Sequence, residues 1–285
     1  MYDRQINHNN RTAFIIAVDC STSMREMITF NSQYMSKADA VALVCNYMID
    51  ELMSRATRSE GVRDYYDIAV IGYSGEGVRS LLPSSESGFI SIRNLAHFKP
   101  EPEQYSYTLC APNTPNTSVS ITLHPWIKAT AVGSTPMYKA LIYIREMVEK
   151  WCNNRDNHNS FPPMVFNITD GECSDGSSED LIREAERITE LKTTNGNVLL
   201  MNIHLSTYQS ERCEAMPSNY RFTTQCPYKS TLFHMSSILP QNMEPLIAEL
   251  IGSRFDGPYR CVAFNASMNE LLMILNIGSH SISDQ

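Results

Sequence analysis

"TAFIIAVDCSTSMREM", residues 12 to 27, decides how the rest of the chain is read. An apolar run of strand length stops on Asp19 and passes into a hydroxyl-rich loop that carries Ser21 and Ser23. Side chains of an extended chain alternate between two faces, so positions 19, 21 and 23 share one side for as long as the extension lasts. A carboxylate and two hydroxyls on one side of a strand end make a surface of hard oxygen atoms. What else reaches that surface depends on the elements that follow.

Strand-like apolar runs then alternate with segments of helical period, the pattern of a mostly parallel sheet covered by helices on both faces. The expected strands after 12–19 are "YDIAVIGYSG" (66–75), a short edge strand in "GVRSLLP" (77–83), "PMVFNITDG" (163–171), "GNVLLMNIHLS" (196–206) and a second edge strand in "RCVAFNA" (260–266). Between them, "KADAVALVCNYMIDELMSRA" (37–56) carries an apolar stripe of Val41, Val44, Cys45, Met48, Leu52 and Met53, and Met137, Leu141, Ile144, Val148 and Trp151 line one face of a second helix. "SSEDLIREAERITELK" (177–192) places a Ser and acidic residues in its first turn, as the positive end of a helix dipole favours. Further helices are expected in 232–252 and 267–278. The fold class is therefore α/β, a Rossmann-like open sheet of about six strands. Residues 1–11 read as a polar tail and 12–280 as one domain, with an insertion at 83–131 that holds a hairpin of its own and an irregular segment at 207–230.

Composition narrows the function. The chain has 285 residues, 42% apolar and 19% charged, which is enough to bury a sizeable core. Its net charge of -8 and the lack of a basic run argue against a nucleic-acid partner. The apolar stretches are strand-length, short of the roughly 20 residues of a membrane span. The opening "MYDRQINHNNR" lacks the apolar centre of a signal peptide, so a cytoplasmic location is expected. The eight cysteines form no CxxC pair and no zinc spacing, and read as reduced, buried thiols.

Three segments put oxygen ligands at the ends of elements: "DCSTS" (19–23), "GSTPM" (133–137) and "TDGE" (169–172). In an open parallel sheet, ligands bind beyond the carboxyl ends of the strands where strand order reverses. If the 12–19 strand is central and the 163–171 strand lies beside it, the three segments meet there. They share two carboxylates, Asp19 and Asp170, and three hydroxyls, Ser21, Ser23 and Thr135, and none offers a His. Their only thiol, Cys20, is expected to face the core. Such a donor set suits a hard divalent cation, Mg²⁺ first with Mn²⁺ or Ca²⁺ as alternatives, and does not suit zinc or copper.

D-x-S-x-S after a central strand, a distant Thr in "GSTPM" and the Asp of "TDG" together resemble the von Willebrand factor A (vWA) domain and its metal-ion-dependent adhesion site. The wording of "GSTPM" and "LFHMSSILP" looks most like bacterial intracellular members found beside tellurite-resistance and stress-response genes. The resemblance implies Ser21, Ser23 and Thr135 as direct ligands, with Asp19 and Asp170 acting largely through water. It also implies a protein partner that offers a Glu or Asp carboxylate to the metal, because neutral first ligands leave the cation short of negative charge.

Each residue also has a plainer reading. Ser21 and Ser23 would serve as helix caps and Asp170-Gly171 as a turn. Glu172 reads as a solvated loop residue, "DGECSDG" lacks the ligand spacing of an EF-hand, and the histidines are dispersed. The chain is expected to be non-enzymatic. The competing function is Mg²⁺-dependent phosphoryl transfer or hydrolysis with Asp19 as nucleophile, against which stands Ser21 where haloacid-dehalogenase-like enzymes usually carry a second Asp. A third option is a cation that only stabilises the scaffold. Oligomeric state is not legible.

Overall fold

The run that ends on Asp19 is buried along its whole length, as befits a strand with neighbours on both edges and helices over both faces. The computed structural model describes residues 2–4, 6–7, 9–30, 33–75, 77–84, 86–109, 117–205, 214–218, 227–244 and 258–265. Among the described residues its centre is an eight-stranded sheet, labelled in chain order β1 (Thr12–Asp19), β2 (Tyr66–Ser74), β3 (Gly77–Ser80), β4 (Ile90–Ser91), β5 (Met164–Thr169), β6 (Leu199–His204), β7 (Glu214–Ala215) and β8 (Val262–Phe264). The spatial order is β7-β8-β6-β5-β1-β2-β3, with β4 also on β2. β1 pairs in parallel with β5, Val18 opposite Ile168, and with β2, Val18 opposite Gly72. β5 with β6 and β6 with β8 are also parallel, whereas β3, β4 and β7 run antiparallel to their neighbours. The chain leaves β1 toward β2 and later returns on the other side as β5. Strand order thus reverses between β1 and β5.

Alternation along β1 divides the core. Phe14, Ile16, Val18 and Cys20 join Val41, Val44, Cys45, Met48 and Leu52 of helix α1 (Lys37–Ala56) on one face. Ala13, Ile15 and Ala17 face helices α2 (Met137–Asn153), α3 (Ser178–Glu190) and α4 (Pro227–Met235) through Leu141, Ile144, Val148, Leu181, Ala185, Ile188 and Leu232. A full capping box opens α3: Ser177 accepts from the Asp180 N–H while Asp180 accepts from the Ser177 N–H. The free thiols of Cys20, Cys45, Cys152 and Cys261 are buried and that of Cys173 is half-buried, while Cys110, Cys213 and Cys226 lie outside the described residues.

One expectation needs correction. "RCVAFNA" is not an edge strand: β8 takes β7 on its outer side, from within the 207–230 segment expected to be irregular. A two-residue strand is too short for period-two patterning to reveal. The 83–131 insertion holds more than a hairpin. Its residues 90–91 join the sheet on β2, a short helix spans Ile92–Leu95, and Glu103–Leu109 pairs with Thr117–Leu123 in a hairpin of its own. Its end is fastened to α1. Asp50 accepts from the His124 N–H at 2.8 Å and from Trp126 Nε1 at 2.8 Å, and Asn46 bonds both backbone groups of Ile127. The helix expected over 267–278, and the part of the 232–252 segment beyond 244, lie outside the described residues.

A chain of hydrogen bonds crosses the sheet inside the α2–α4 layer. Tyr73 OH donates to Asn167 Oδ1 at 2.8 Å, Asn167 Nδ2 to Asn202 Oδ1 at 2.9 Å, Asn202 Nδ2 to Ser236 Oγ at 2.9 Å, and Ser236 Oγ to the Leu232 carbonyl at 2.7 Å. Burial pushes the Tyr73 phenol well above its ordinary pKa, which keeps it a donor.

Candidate metal centre

The strand-order reversal brings the ends of β1 and β5 side by side, and the loops that leave them are laced together. Asp19 Oδ1 accepts from the Ser21 N–H at 2.9 Å, and Asp19 Oδ2 accepts from Thr169 Oγ1 at 2.8 Å. The 132–135 loop docks on the first loop through two backbone bonds, Thr22 N–H to the Gly133 carbonyl at 2.9 Å and Val132 N–H to the Cys20 carbonyl at 2.7 Å. It reaches the third loop where the Ser174 N–H donates to the Thr135 carbonyl at 3.0 Å. The three segments singled out in the sequence therefore meet at one place.

Close approach explains the glycines of these loops. Gly133 has φ +80, and a Cβ there would lie 2.9 Å from Gly75 Cα. A Cβ on Gly75, just past β2, would lie 2.9 Å from Ser134 N. Asp175 then aims the helix that follows Thr135: its carboxylate accepts from the Tyr138 N–H at 2.9 Å and the Lys139 N–H at 3.1 Å, at the positive end of α2.

The extended face proposed for positions 19, 21 and 23 ends at Ser21, whose backbone is still extended, because Thr22–Arg25 forms a 3-10 turn. Three residues per turn cannot keep period-two alternation. Ser21 and Ser23 still converge, their hydroxyl oxygens 3.0 Å apart. Ser21 stands at the N-cap of the turn, yet its side chain makes no capping bond, so the plain capping role does not hold for it. Cys20 faces the α1 layer as expected.

Asp19 is fully buried, Ser21, Thr135 and Asp170 are buried, and Ser23 is partly exposed. Burial, and next the nearby charge of Asp170, raise the Asp19 carboxyl from 3.8 to about 6, although hydrogen bonds from Ser21 and Thr169 oppose the shift. Asp170 divides its two oxygens: Oδ2 lies 3.4 Å from the Lys37 ammonium, whereas Oδ1 is buried without a hydrogen-bond partner. An acceptor buried without a donor is costly unless a cation or water completes it. Among the described residues no three His, Cys, Asp or Glu side chains converge, so hydroxyls must complete any metal-binding set here. Two carboxylates and three hydroxyls with one orphaned buried carboxylate oxygen fit a hard divalent cation.

Sequence reasoning missed Thr169, Lys37, Glu26 and Asp175. Thr169 sits beside Asp170 and was open to inclusion. Lys37 opens an amphipathic helix, a position where a cation normally faces water, and nothing in the local pattern marks it as buried.

No protein-family model matches this chain, and no curated protein matches it. Solved structures similar to it include the SpRpn10 VWA domain, at 12% identity over 68% of this chain and 75% of that one, with a TM-score of 0.37. An aerotolerance-related membrane protein from Bacteroides fragilis is 11% identical over 68% of this chain and 67% of that one, with a TM-score of 0.30. The RO (RSR) protein of Deinococcus radiodurans is 12% identical over 96% of this chain and 35% of that one, with a TM-score of 0.35. At these identities the likeness concerns the overall arrangement of elements alone.

Proposed function

We propose that this chain is a metal-dependent protein-interaction module of vWA type, which binds an acidic side chain of a partner through a divalent cation, Mg²⁺ first. Ser21, Ser23 and Thr135 would hold the ion directly, with Asp19 and Asp170 acting through water. The observation that carries this reading is the buried, partnerless Asp170 Oδ1 at the junction of the three hydroxyl-bearing loops. When bound, the cation supplies a coordination position that a carboxylate from outside can fill. The chain's own residues orient and desolvate: Thr169 and the Ser21 N–H fix the Asp19 carboxylate, the Ser174 N–H holds the carbonyl of Thr135 itself, and Asp175 holds the helix start that follows it.

We take the module to be non-enzymatic. A nucleophilic Asp19 would need an exposed oxygen, but the residue is fully buried and both its oxygens accept internal hydrogen bonds. The free thiols of the described cysteines suit a reducing compartment. Among the described residues no helix is long and apolar enough to cross a membrane. By resemblance, the setting is a bacterial stress-response or signalling complex.

Titration calorimetry with MgCl₂ and MnCl₂ tests the reading. The wild-type chain should take up one ion, and Asp19→Asn and Thr135→Ala should weaken uptake at least tenfold with an unchanged circular-dichroism spectrum. No uptake of Mg²⁺, Mn²⁺ or Ca²⁺ by the wild type would sink it.

A further inference from the structure

Lys37 is placed against the usual rules for a lysine. It is the first residue of α1, after the Ser36 N-cap, where the helix dipole is positive and a cation is disfavoured. Its side chain is also only 4% exposed, so the ammonium has given up its water. Two carboxylates compensate. Glu26 Oε2 accepts from Nζ at 2.7 Å, and the Lys37 N–H donates to the Glu26 carbonyl at 2.9 Å. Asp170 Oδ2 lies farther off, at 3.4 Å. Glu26 therefore anchors the ammonium, which meets Asp170 at Oδ2 and not at its partnerless Oδ1.

This arrangement changes the charge a cation would meet. Without Lys37 the site holds two buried carboxylates, Asp19 and Asp170, enough to balance a divalent ion nearly in full. With Lys37 against Asp170, one of those charges is already partly answered. The remaining donors, Ser21, Ser23 and Thr135, are neutral, and Glu26 is about half exposed and screened by water.

We propose that Lys37 sets how strongly this site holds its cation: it engages Oδ2 of Asp170 and leaves Oδ1 unclaimed, and it offsets enough of the Asp170 charge to leave a bound metal electrophilic toward a partner's carboxylate. This inference rests on the metal-dependent reading above. Lys37 is a positioning residue and touches neither the cation nor the partner. It trades metal affinity for appetite toward an external anion. A purely structural ion pair predicts the reverse, since its loss would loosen the loops and weaken the metal along with the fold.

The test is Mn²⁺ binding to the full chain by calorimetry, for wild type, Lys37→Met and Lys37→Arg. Lys37→Met should bind Mn²⁺ at least tenfold more tightly than wild type while its metal-free form melts at a lower temperature. Lys37→Arg should stay within about threefold of wild type. If Lys37→Met does not fold without metal, Lys37→Gln, which can still bond Glu26 without charge, carries the same expectation of tighter binding. Mn²⁺ affinity equal to or weaker than wild type in the uncharged variants overturns the role of Lys37 and leaves the metal site standing. A wild-type chain that takes up no Mn²⁺ overturns the metal-dependent reading and this inference with it.

Discussion

Thr169 Oγ1 gives its hydrogen to Asp19 Oδ2 at 2.8 Å and takes one from the Gly171 N–H at 2.9 Å, so one hydroxyl ties the end of β1 to the turn that carries Asp170. All three groups are buried. Thr169→Val keeps the shape and removes both bonds, leaving a carboxylate oxygen and an N–H unsatisfied. The expected loss is about 1.5–3 kcal/mol in urea denaturation, with Thr169→Ser much closer to wild type.

The metal-free protein should carry a pH signature of Asp19. Its folded carboxyl sits at about 6, above the ordinary 3.8, so between those values the native state binds the proton more tightly than the unfolded chain. The stability from this group is complete below the unfolded value and is lost as pH rises through about 6. In EDTA, the wild type should thus lose up to about 3 kcal/mol relative to Asp19→Asn between pH 4 and pH 7. Saturating Mg²⁺ should reverse the trend, because the ion requires the ionised form. A parallel pH dependence in wild type and Asp19→Asn would contradict the assignment.

Two buried tyrosines should respond in opposite ways to the same substitution. Tyr73→Phe strips Asn167 Oδ1 of its donor in the middle of the core and should destabilise by about 1–3 kcal/mol. The Tyr66 hydroxyl is buried without a hydrogen-bond partner, so Tyr66→Phe should be neutral or stabilising. Thermal unfolding of the two variants side by side checks both.

Gly133→Ala should separate the loop that carries Thr135 from its neighbours. The residue holds φ +80, and the added methyl would meet the Gly75 backbone at 2.9 Å. Strain of roughly 1–3 kcal/mol is expected, together with weaker Mg²⁺ uptake in calorimetry. Gly77→Ala, at φ +113 with open space around it, should be strained without touching metal uptake.

The long buried runs and the two long helices were legible because burial on both faces and a 3.6-residue period are local signals. β1 spans the same Thr12–Asp19 as expected, and α1 the same 37–56. The meeting of "DCSTS", "GSTPM" and "TDGE" was legible too, but only through the rule that places ligands at a strand-order reversal. The 3-10 turn Thr22–Arg25 was not, since four residues are too few for a helical period to show in the sequence. Nor were the partners of Lys37 and Asp175. Those contacts join positions 11, 133 and 37 residues apart, and no period in the chain announces them.

The one-way row of hydrogen bonds from Tyr73 through Asn167 and Asn202 to Ser236 works as a checksum on assembly. Were β5 to slide by one residue against β1 or β6, both its amide edges would face hydrocarbon and every link would break at once. Homologues that keep this lattice should therefore exchange its members as a set, while the aliphatic positions around it drift freely.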